Sequence, residues 1–425
     1  MKSFQVLLFE EHIASVRERK YHRYTETTPM TKKTEKKPAK PKATAKKPTT
    51  KGKKRSRLYT FVANTITGFS LATVLLLLIA VLSTYISPEH FRLLSLMGLA
   101  FPVFLVGTLL MLLISLLVCW RRAWIPLVGL LLCYEAIDSY FPINFPSPAP
   151  KDCLKVITYN TSGFGLWTDS IKDKNNKKGD NRLILEIVKE QPDIVGYQEG
   201  FGGNQYDKHV RPILKRNNYH TSSVNIGGSH LGCFSKYPIV DKEILCKMGG
   251  NGAAVFKIKL ASNDTLFFVV THLKWMHLSS GDRALFQDNV DKLRDEDTDD
   301  TYDVEGLSHV ARKIARASVP RALQADTIAQ FIANNPHRNI IVCGDFNDTP
   351  VSYTYRTIAN AGNLSDAFVE TGNGIGRTFN RNAMVVRIDH ILYSNEHWEP
   401  YGARILNRPD RSDHNAVSTY LERKK

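Results

Sequence analysis

The chain has 425 residues, 57 Lys and Arg against 41 Asp and Glu, and a formal charge of +16. That length exceeds one ordinary domain, and the charge is concentrated: residues 1–57 hold 13 Lys and 5 Arg against 5 Glu, while residues 152–425 sum to only +2. The distribution speaks against a uniformly basic, polyanion-coating protein, and six cysteines without a C-x-x-C give neither a thiolate zinc site nor a dithiol redox motif.

In chain order, Met1 to Pro29 contains no secretory signal, because the apolar stretch Val6 to Phe9 is too short and Glu10-Glu11 interrupts it. The Lys-rich segment begins directly after Met30, which is therefore the expected start of translation. Thr31 to Arg57 is rich in Lys, Pro, Ala and Thr and lacks large apolar residues. It cannot bury enough surface to offset its ordering entropy, so residues 1–57 are expected to be a disordered basic cytoplasmic tail. Such a tail either acts as a solvated topology signal, the preferred reading, or attracts anionic headgroups or nucleic acid.

Residues 58–140 are expected to be three transmembrane helices. Phe61 to Ile86 and Leu93 to Trp120 contain no charged residue, and a third apolar stretch runs from Trp124 through Ala136 to about Tyr140. About 20 apolar residues cross a bilayer; the third stretch fits a buried core helix as well. Basic residues set orientation. The Lys-rich tail and Arg121-Arg122 belong inside, and the Ser87-Pro-Glu-His90 turn outside. Three crossings of the inner (cell) membrane leave the C-terminal domain extracytoplasmic. Residues 141–152, with Pro142, Pro146, Pro148 and Pro150, read as a stiff linker.

Residues 153–425 alternate short apolar strands with helical stretches. Asn181 to Gln191 and Arg321 to Asn335 carry helical apolar stripes, each stopped by a proline. Several strands end on a polar residue: Lys155 to Asn160, Asp193 to Glu199, Leu266 to His272, and Asn339 to Asp345 with Asn347 just beyond. Arg387-Ile-Asp-His-Ile-Leu392 and Arg411-Ser-Asp-His-Asn415 follow near the C-terminus. Strands apolar throughout argue for burial on both faces, as two stacked sheets covered by helices would give. Cys343 reads as a small buried hydrophobe, and a Cys233–Cys246 disulfide is left open. Between His277 and Val319 lies an acidic run, Asp288 to Glu305, without EF-hand spacing. If that run overhangs the site it repels long polyanions.

In this order the motifs resemble the endonuclease/exonuclease/phosphatase superfamily, which includes pancreatic-type deoxyribonuclease, abasic-site endonucleases and bacterial sphingomyelinases. The resemblance spans roughly Leu154 to Leu421 and takes in Ser235 to Ile239 and Arg377 to Phe379. A membrane-anchored bacterial member is the type expected. The resemblance implies an α/β fold, a four-layer α-β-β-α sandwich, and a hydrolase that cleaves phosphodiester or phosphomonoester bonds by metal-assisted water attack. Hard oxygen donors suit Mg²⁺ or Mn²⁺. Glu199 is the first metal ligand, with Asn160 beside it and Asp413 supporting. His414 is the base, oriented by Asp389; Asp345 positions the nucleophile or takes the proton itself. Asn347 and His272 donate to phosphoryl oxygens. The sequence departs from the family pattern at His390, where an aromatic is common. The substrate is left open among nucleic acid, a lipid headgroup and a small phosphoester. A non-catalytic binding module on the same fold is the competing class.

Overall fold

The computed structural model describes residues 56–165, 180–260, 264–276, 303–381, 385–407 and 412–424, together with scattered positions between 278 and 292. The basic tail and most of the acidic run lie outside the described residues.

Helix α1 (Arg57–Leu82) starts where Ser56 accepts a hydrogen bond from Tyr59 N at 3.1 Å. Two short helices, α2 (Pro88–Phe91) and α3 (Leu94–Leu99), form the following turn, and α4 (Phe101–Cys119) runs back. Among the described residues, α1 and Phe101–Arg122 are the two helices long and apolar enough to cross a membrane. The expected third span is not one helix. It divides at Cys133 into α5 (Trp124–Leu132) and α6 (Tyr134–Tyr140), and α6 carries Glu135 and Asp138. Nine residues of helix rise about 14 Å, roughly half of a hydrocarbon core. The stretch nevertheless returns alongside α1: a Cβ on Gly129 would come within 2.6 Å of Val74, so glycine permits the close approach.

The rest of the chain builds two six-stranded mixed sheets. Their strands are β1 (Leu154–Asn160), β2 (Ile194–Gly200), β3 (His220–Asn225), β4 (His230–Ser235), β5 (Ile239–Met248), β6 (Asn251–Lys259), β7 (Thr265–His272), β8 (Ile340–Asp345), β9 (Leu364–Asp366), β10 (Asp389–Ser394), β11 (Trp398–Leu406) and β12 (Ala416–Arg423). One sheet has the order β11-β12-β1-β2-β4-β3, the other β5-β6-β7-β8-β10-β9. Each has a central parallel pair, β1 with β2 and β7 with β8.

Alternation sorts each strand's residues between two apolar layers. Val156, Phe268, Ile341, Cys343 and Ile391 fill the layer between the sheets. Ile157, Val195 and Tyr197 pack outward against α7 (Arg182–Lys189) and α9 (Arg211–Arg216), the latter preceded by α8 (Asn204–His209). Val269, Ile340 and Val342 pack outward against α10 (Val304–Ala333) and α11 (Tyr353–Asn360). Helix α12 (Ala367–Thr371) closes the inventory. The result is the expected α-β-β-α sandwich. All six cysteines are free: Cys233 faces the inter-sheet layer, whereas Cys246 packs against the outer layer beneath α10, so the pair does not bond.

Two expectations differ in extent. Helix α10 begins seventeen residues before Arg321, because Asp303 caps Gly306 N at 2.8 Å and the helix continues through Pro320. The Pro-rich linker is docked rather than a free tether. Asn144 Nδ2 donates to Val369 O and Gly372 O at 2.9 and 2.7 Å, and Gly374 N donates to Pro142 O at 2.9 Å.

Candidate active site

Four strands of the inter-sheet layer end in polar residues at one rim. Asn160, His272 and Asp345 continue the inward-facing rows of β1, β7 and β8 at their C-terminal ends, and Asp389 does the same at the N-terminal end of the antiparallel β10. The register brings them level: Asp345 pairs with His272 on one side and with Asp389 on the other. Asn160 then reaches across from the first sheet, donating from Nδ2 to Asp345 Oδ2 at 3.1 Å.

Glu199 needs a backbone device. Strict alternation would send it outward with Tyr197. A register shift between Tyr197 and Gly200, with Glu199 at φ 53°, re-aims the carboxylate into the cleft. There Oε1 accepts from Asn160 Nδ2 at 3.0 Å. Asn347 also sits at positive φ, 52°, and its Nδ2 donates to Leu273 O at 3.0 Å. Two residues outside the glycine norm in one cleft are the pattern of strain held for function.

His414 is fixed from three directions. Nδ1 lies 2.8 Å from Asp389 Oδ2, its backbone N donates to Ser412 Oγ at 3.1 Å, and the Phe379 ring meets it edge-on at 5.3 Å. Ser412 Oγ in turn donates to Asn160 O at 2.7 Å, tying the Asp413–His414 segment to the end of β1. Nε2 is left facing Asp345 Oδ2 at 3.6 Å. His272 Nε2 lies 3.5 Å from Glu199 Oε1 and 3.8 Å from Asp345 Oδ2.

Burial and mutual charge set the protonation of this cluster. Burial pushes the Asp345 carboxyl above the usual carboxylate range, opposed by His414. Burial alone would lower His414, but Asp389 and Asp345 overcome it and hold the imidazole well above its ordinary value. His272 goes the other way, lowered by burial despite Asp345. Glu199 is raised by burial, with Asn160 opposing.

All eight residues expected from the sequence meet at this rim. Glu199, His272, Asp345, Asn347, Asp413 and His414 border a cavity of ≈ 320 Å³, and Asn160 and Asp389 stand directly behind, bonded to them. Arg387, two residues before Asp389, donates to Ile375 O and Ser139 O. His390 is buried between Phe346 and Tyr355 and faces Asp366, away from the cavity.

Sequence reasoning missed three supporting residues. Asn251 Nδ2 lies 3.4 Å from the His272 ring nitrogens and donates to Leu273 O at 3.2 Å. Arg321, buried on α10, pairs with Asp348 at 3.0 Å and donates to Lys274 O at 2.9 Å, bracing the loop after β7. Asp348 was visible inside the Asp345-Phe-Asn-Asp348 motif, but Asn251 and Arg321 sit in segments with no motif of their own.

The donors suit a hard divalent cation. Glu199 and Asp413 offer oxygens on the cavity side, Asn160 stands behind them with its Nδ2 bonded to Glu199 Oε1, and among the described residues the buried Asp389 Oδ1 has no hydrogen-bond partner. Asp345, Asp389 and His414 also place one ligand atom each within 4.8 Å of one another. In that second set the 2.8 Å Asp389–His414 contact already engages His414 Nδ1, which favours a proton relay over a coordination site.

Residues 157–414 match the Endonuclease/Exonuclease/phosphatase family. The chain belongs to this family. It is a hydrolase acting on phosphoester bonds. Residues 63–140 separately match a domain of unknown function, DUF8431. No curated protein matches the chain. Similar solved structures include the human Nocturnin catalytic domain (20% identity, TM-score 0.44, covering 64% of this chain and 95% of that one). A mannosyl-6-phosphatase of Bacteroides thetaiotaomicron is 17% identical (TM-score 0.40, 63% and 99%). An AP endonuclease of Archaeoglobus fulgidus is 15% identical (TM-score 0.40, 63% and 98%).

Proposed function

We propose that this enzyme is a membrane-anchored phosphoesterase that uses Mg²⁺ or Mn²⁺. The observation that carries the reading is the convergence of the oxygen donors Glu199 and Asp413 and the Asp389–His414–Asp345 chain on one cavity. Glu199, Asn160 and Asp413 are the residues that would hold the cation. When bound, the cation neutralises phosphoryl charge and favours ionisation of water at neutral pH.

The remaining chemistry belongs to the side chains. The attacking water gives its proton to the site between Asp345 Oδ2 and His414 Nε2, atoms 3.6 Å apart. Asp389 supports that proton by holding His414 Nδ1 in one orientation. Asn347 and His272 border the same cavity and donate to phosphoryl oxygens. His272, beside Glu199, assists the leaving group.

Membrane anchoring is inferred from α1 and α4, whose outward faces present Phe69, Leu75, Val103 and Leu110 to the surroundings. The Arg122 end of the bundle, where Arg122 Nη1 donates to Asn64 and Thr67, would face the cytoplasm. The α5–α6 stretch completes the return, leaving the catalytic domain extracytoplasmic.

The test is hydrolysis of bis(p-nitrophenyl) phosphate by the purified full chain before and after chelation. Activity lost to chelator and restored by Mg²⁺ or Mn²⁺ is the expected result. Activity indifferent to chelator overturns the metal assignment, and metal-replete protein inert toward diester and monoester probes alike supports a binding module instead.

A further inference from the structure

The catalytic cavity has a wall that does not come from the catalytic domain. Leu99, the last residue of α3, borders the same space as Glu199, Asp345 and His414. It is joined there by Trp275, Met276, Leu278, Phe379 and Val386. Among the described residues bordering the cavity there is no Lys or Arg. A site built for a polyanion would need such a basic track.

Leu99 is held in that wall. A Cβ on Gly98 would lie 2.5 Å from Val351 O, so the backbone of α3 touches the backbone of the loop after β8. Ser95 Oγ lies 3.1 Å from Ser318 Oγ on α10, and the Arg356 guanidinium stacks over the Tyr85 ring at 3.8 Å. The wall also adjoins the apolar bundle along the chain. Two residues beyond Leu99, α4 begins, and it exposes Val103, Val106 and Leu110, 68%, 55% and 51% open. Leu99 therefore links the phosphoester-cleaving residues to a helix whose exposed apolar side chains are assigned to the bilayer. Exposed apolar area of this kind marks a membrane or ligand surface.

We propose that the substrate is a membrane-resident lipid phosphoester, and that the α3 turn is the element that selects it. The phosphoryl group sits at the Glu199–His414 end of the cavity. An acyl chain lies along Trp275, Met276 and Leu99 and stays partly in the bilayer. Water adds to phosphorus and the P–O bond to the leaving alcohol breaks. The proton taken from water returns to the departing alkoxide, so no further reactant is needed. This inference rests on the phosphoesterase site above, and its test separates the two.

The experiment uses the full chain in mixed micelles with Mg²⁺ or Mn²⁺. The probes are dibutyryl, dioctanoyl and dipalmitoyl phosphatidylglycerol, with bis(p-nitrophenyl) phosphate as a soluble diester. The expected result is a kcat/KM that rises with acyl length, by about tenfold or more across the series. Leu99→Asp should collapse the ratio of long-chain to short-chain kcat/KM. Trp275→Ala, outside the α1–α4 hairpin, should lower the same ratio if Leu99→Asp fails to fold. Hydrolysis of the soluble diester without hydrolysis of any diacyl lipid overturns the proposal and leaves the catalytic site standing. A ratio untouched by both substitutions overturns it as well. Inactivity toward every probe overturns the phosphoesterase reading and this inference with it.

Discussion

At the scale of single residues, the cleft separates two kinds of work. Glu199 faces the cavity with its carboxylate oxygens, whereas Asp389 lies behind His414 and acts through it. Glu199→Ala should therefore abolish measurable turnover and weaken the response to added Mg²⁺ or Mn²⁺, read by titrating the metal against activity. His414→Ala should cost about 10²–10⁴-fold in kcat, the usual penalty for losing a positioned proton-transfer group. Near-full activity in both variants would mean that the site lies elsewhere. Burial alone would raise the Asp366 carboxyl, but the hydrogen bond from His390 and the charge of Arg387 hold it below its ordinary value. A depressed folded-state carboxyl contributes stability that is present above the unfolded value and lost as pH falls through the folded one. Acid denaturation curves of the full chain should thus steepen below about pH 4, and Asp366→Asn should flatten that limb while lowering stability at neutral pH. An unchanged acid limb in Asp366→Asn would remove Asp366 from the account.

At the scale of elements, much of the sandwich was readable because strand ends announce themselves. The apolar run from Ile340 to Val342 gives β8, and the polar residue that follows an inward-facing row, Asp345, has nowhere to go but the rim. Asn160, His272 and Asp389 obey the same period of two. Helix α7 was legible from its apolar stripe and the proline that stops it, and the structure adds that Asn181 is its cap, accepting from Ile184 N at 3.0 Å. What was not legible depends on geometry that composition does not encode. The bulge at Glu199 is a register event between two strands distant in sequence. Helix α10 begins early because a cap at Asp303 and long-range contacts outweigh the break that Pro320 would cause in isolation. The division at Cys133 breaks an apolar stretch that hydropathy alone reads as continuous. Nothing in the pattern near Leu99 shows that a turn between two apolar helices would come to border the catalytic cavity.

At the scale of the whole molecule, the question is how the apolar bundle and the sandwich act as one body. Arg387 is central to this. It is 1% exposed, its guanidinium lies over Phe368 at 4.6 Å, and it donates to Ile375 O in the catalytic domain and to Ser139 O at the end of α6. Apolar packing surrounds the junction: Val351 joins Leu77, Phe101 and Tyr140 in one buried cluster. Removing Arg387 would leave the half-buried Ile375 and Ser139 carbonyls short of a donor, at about 1–3 kcal/mol each at most. Arg387→Met should therefore lower the stability of the full chain by several kcal/mol, read by denaturation in detergent, and should loosen α3 with it. If the junction also orients the molecule, topology follows from it. Arg122 bonds to Asn64 and Thr67 near the start of α1, whereas Tyr140 packs on Phe101 at the start of α4, so Arg121-Arg122 and Ser139 mark opposite ends of the bundle, and the proposed topology puts the N-terminus inside and the C-terminus outside. A C-terminal alkaline phosphatase fusion should be active and a C-terminal fluorescent reporter that folds only in the cytoplasm should be dark. The reverse pattern would mean that the whole bundle inserts in the opposite orientation, since Ser95 on α3 and Ser139 on α6 both bond to the catalytic domain and so lie on its side of the membrane.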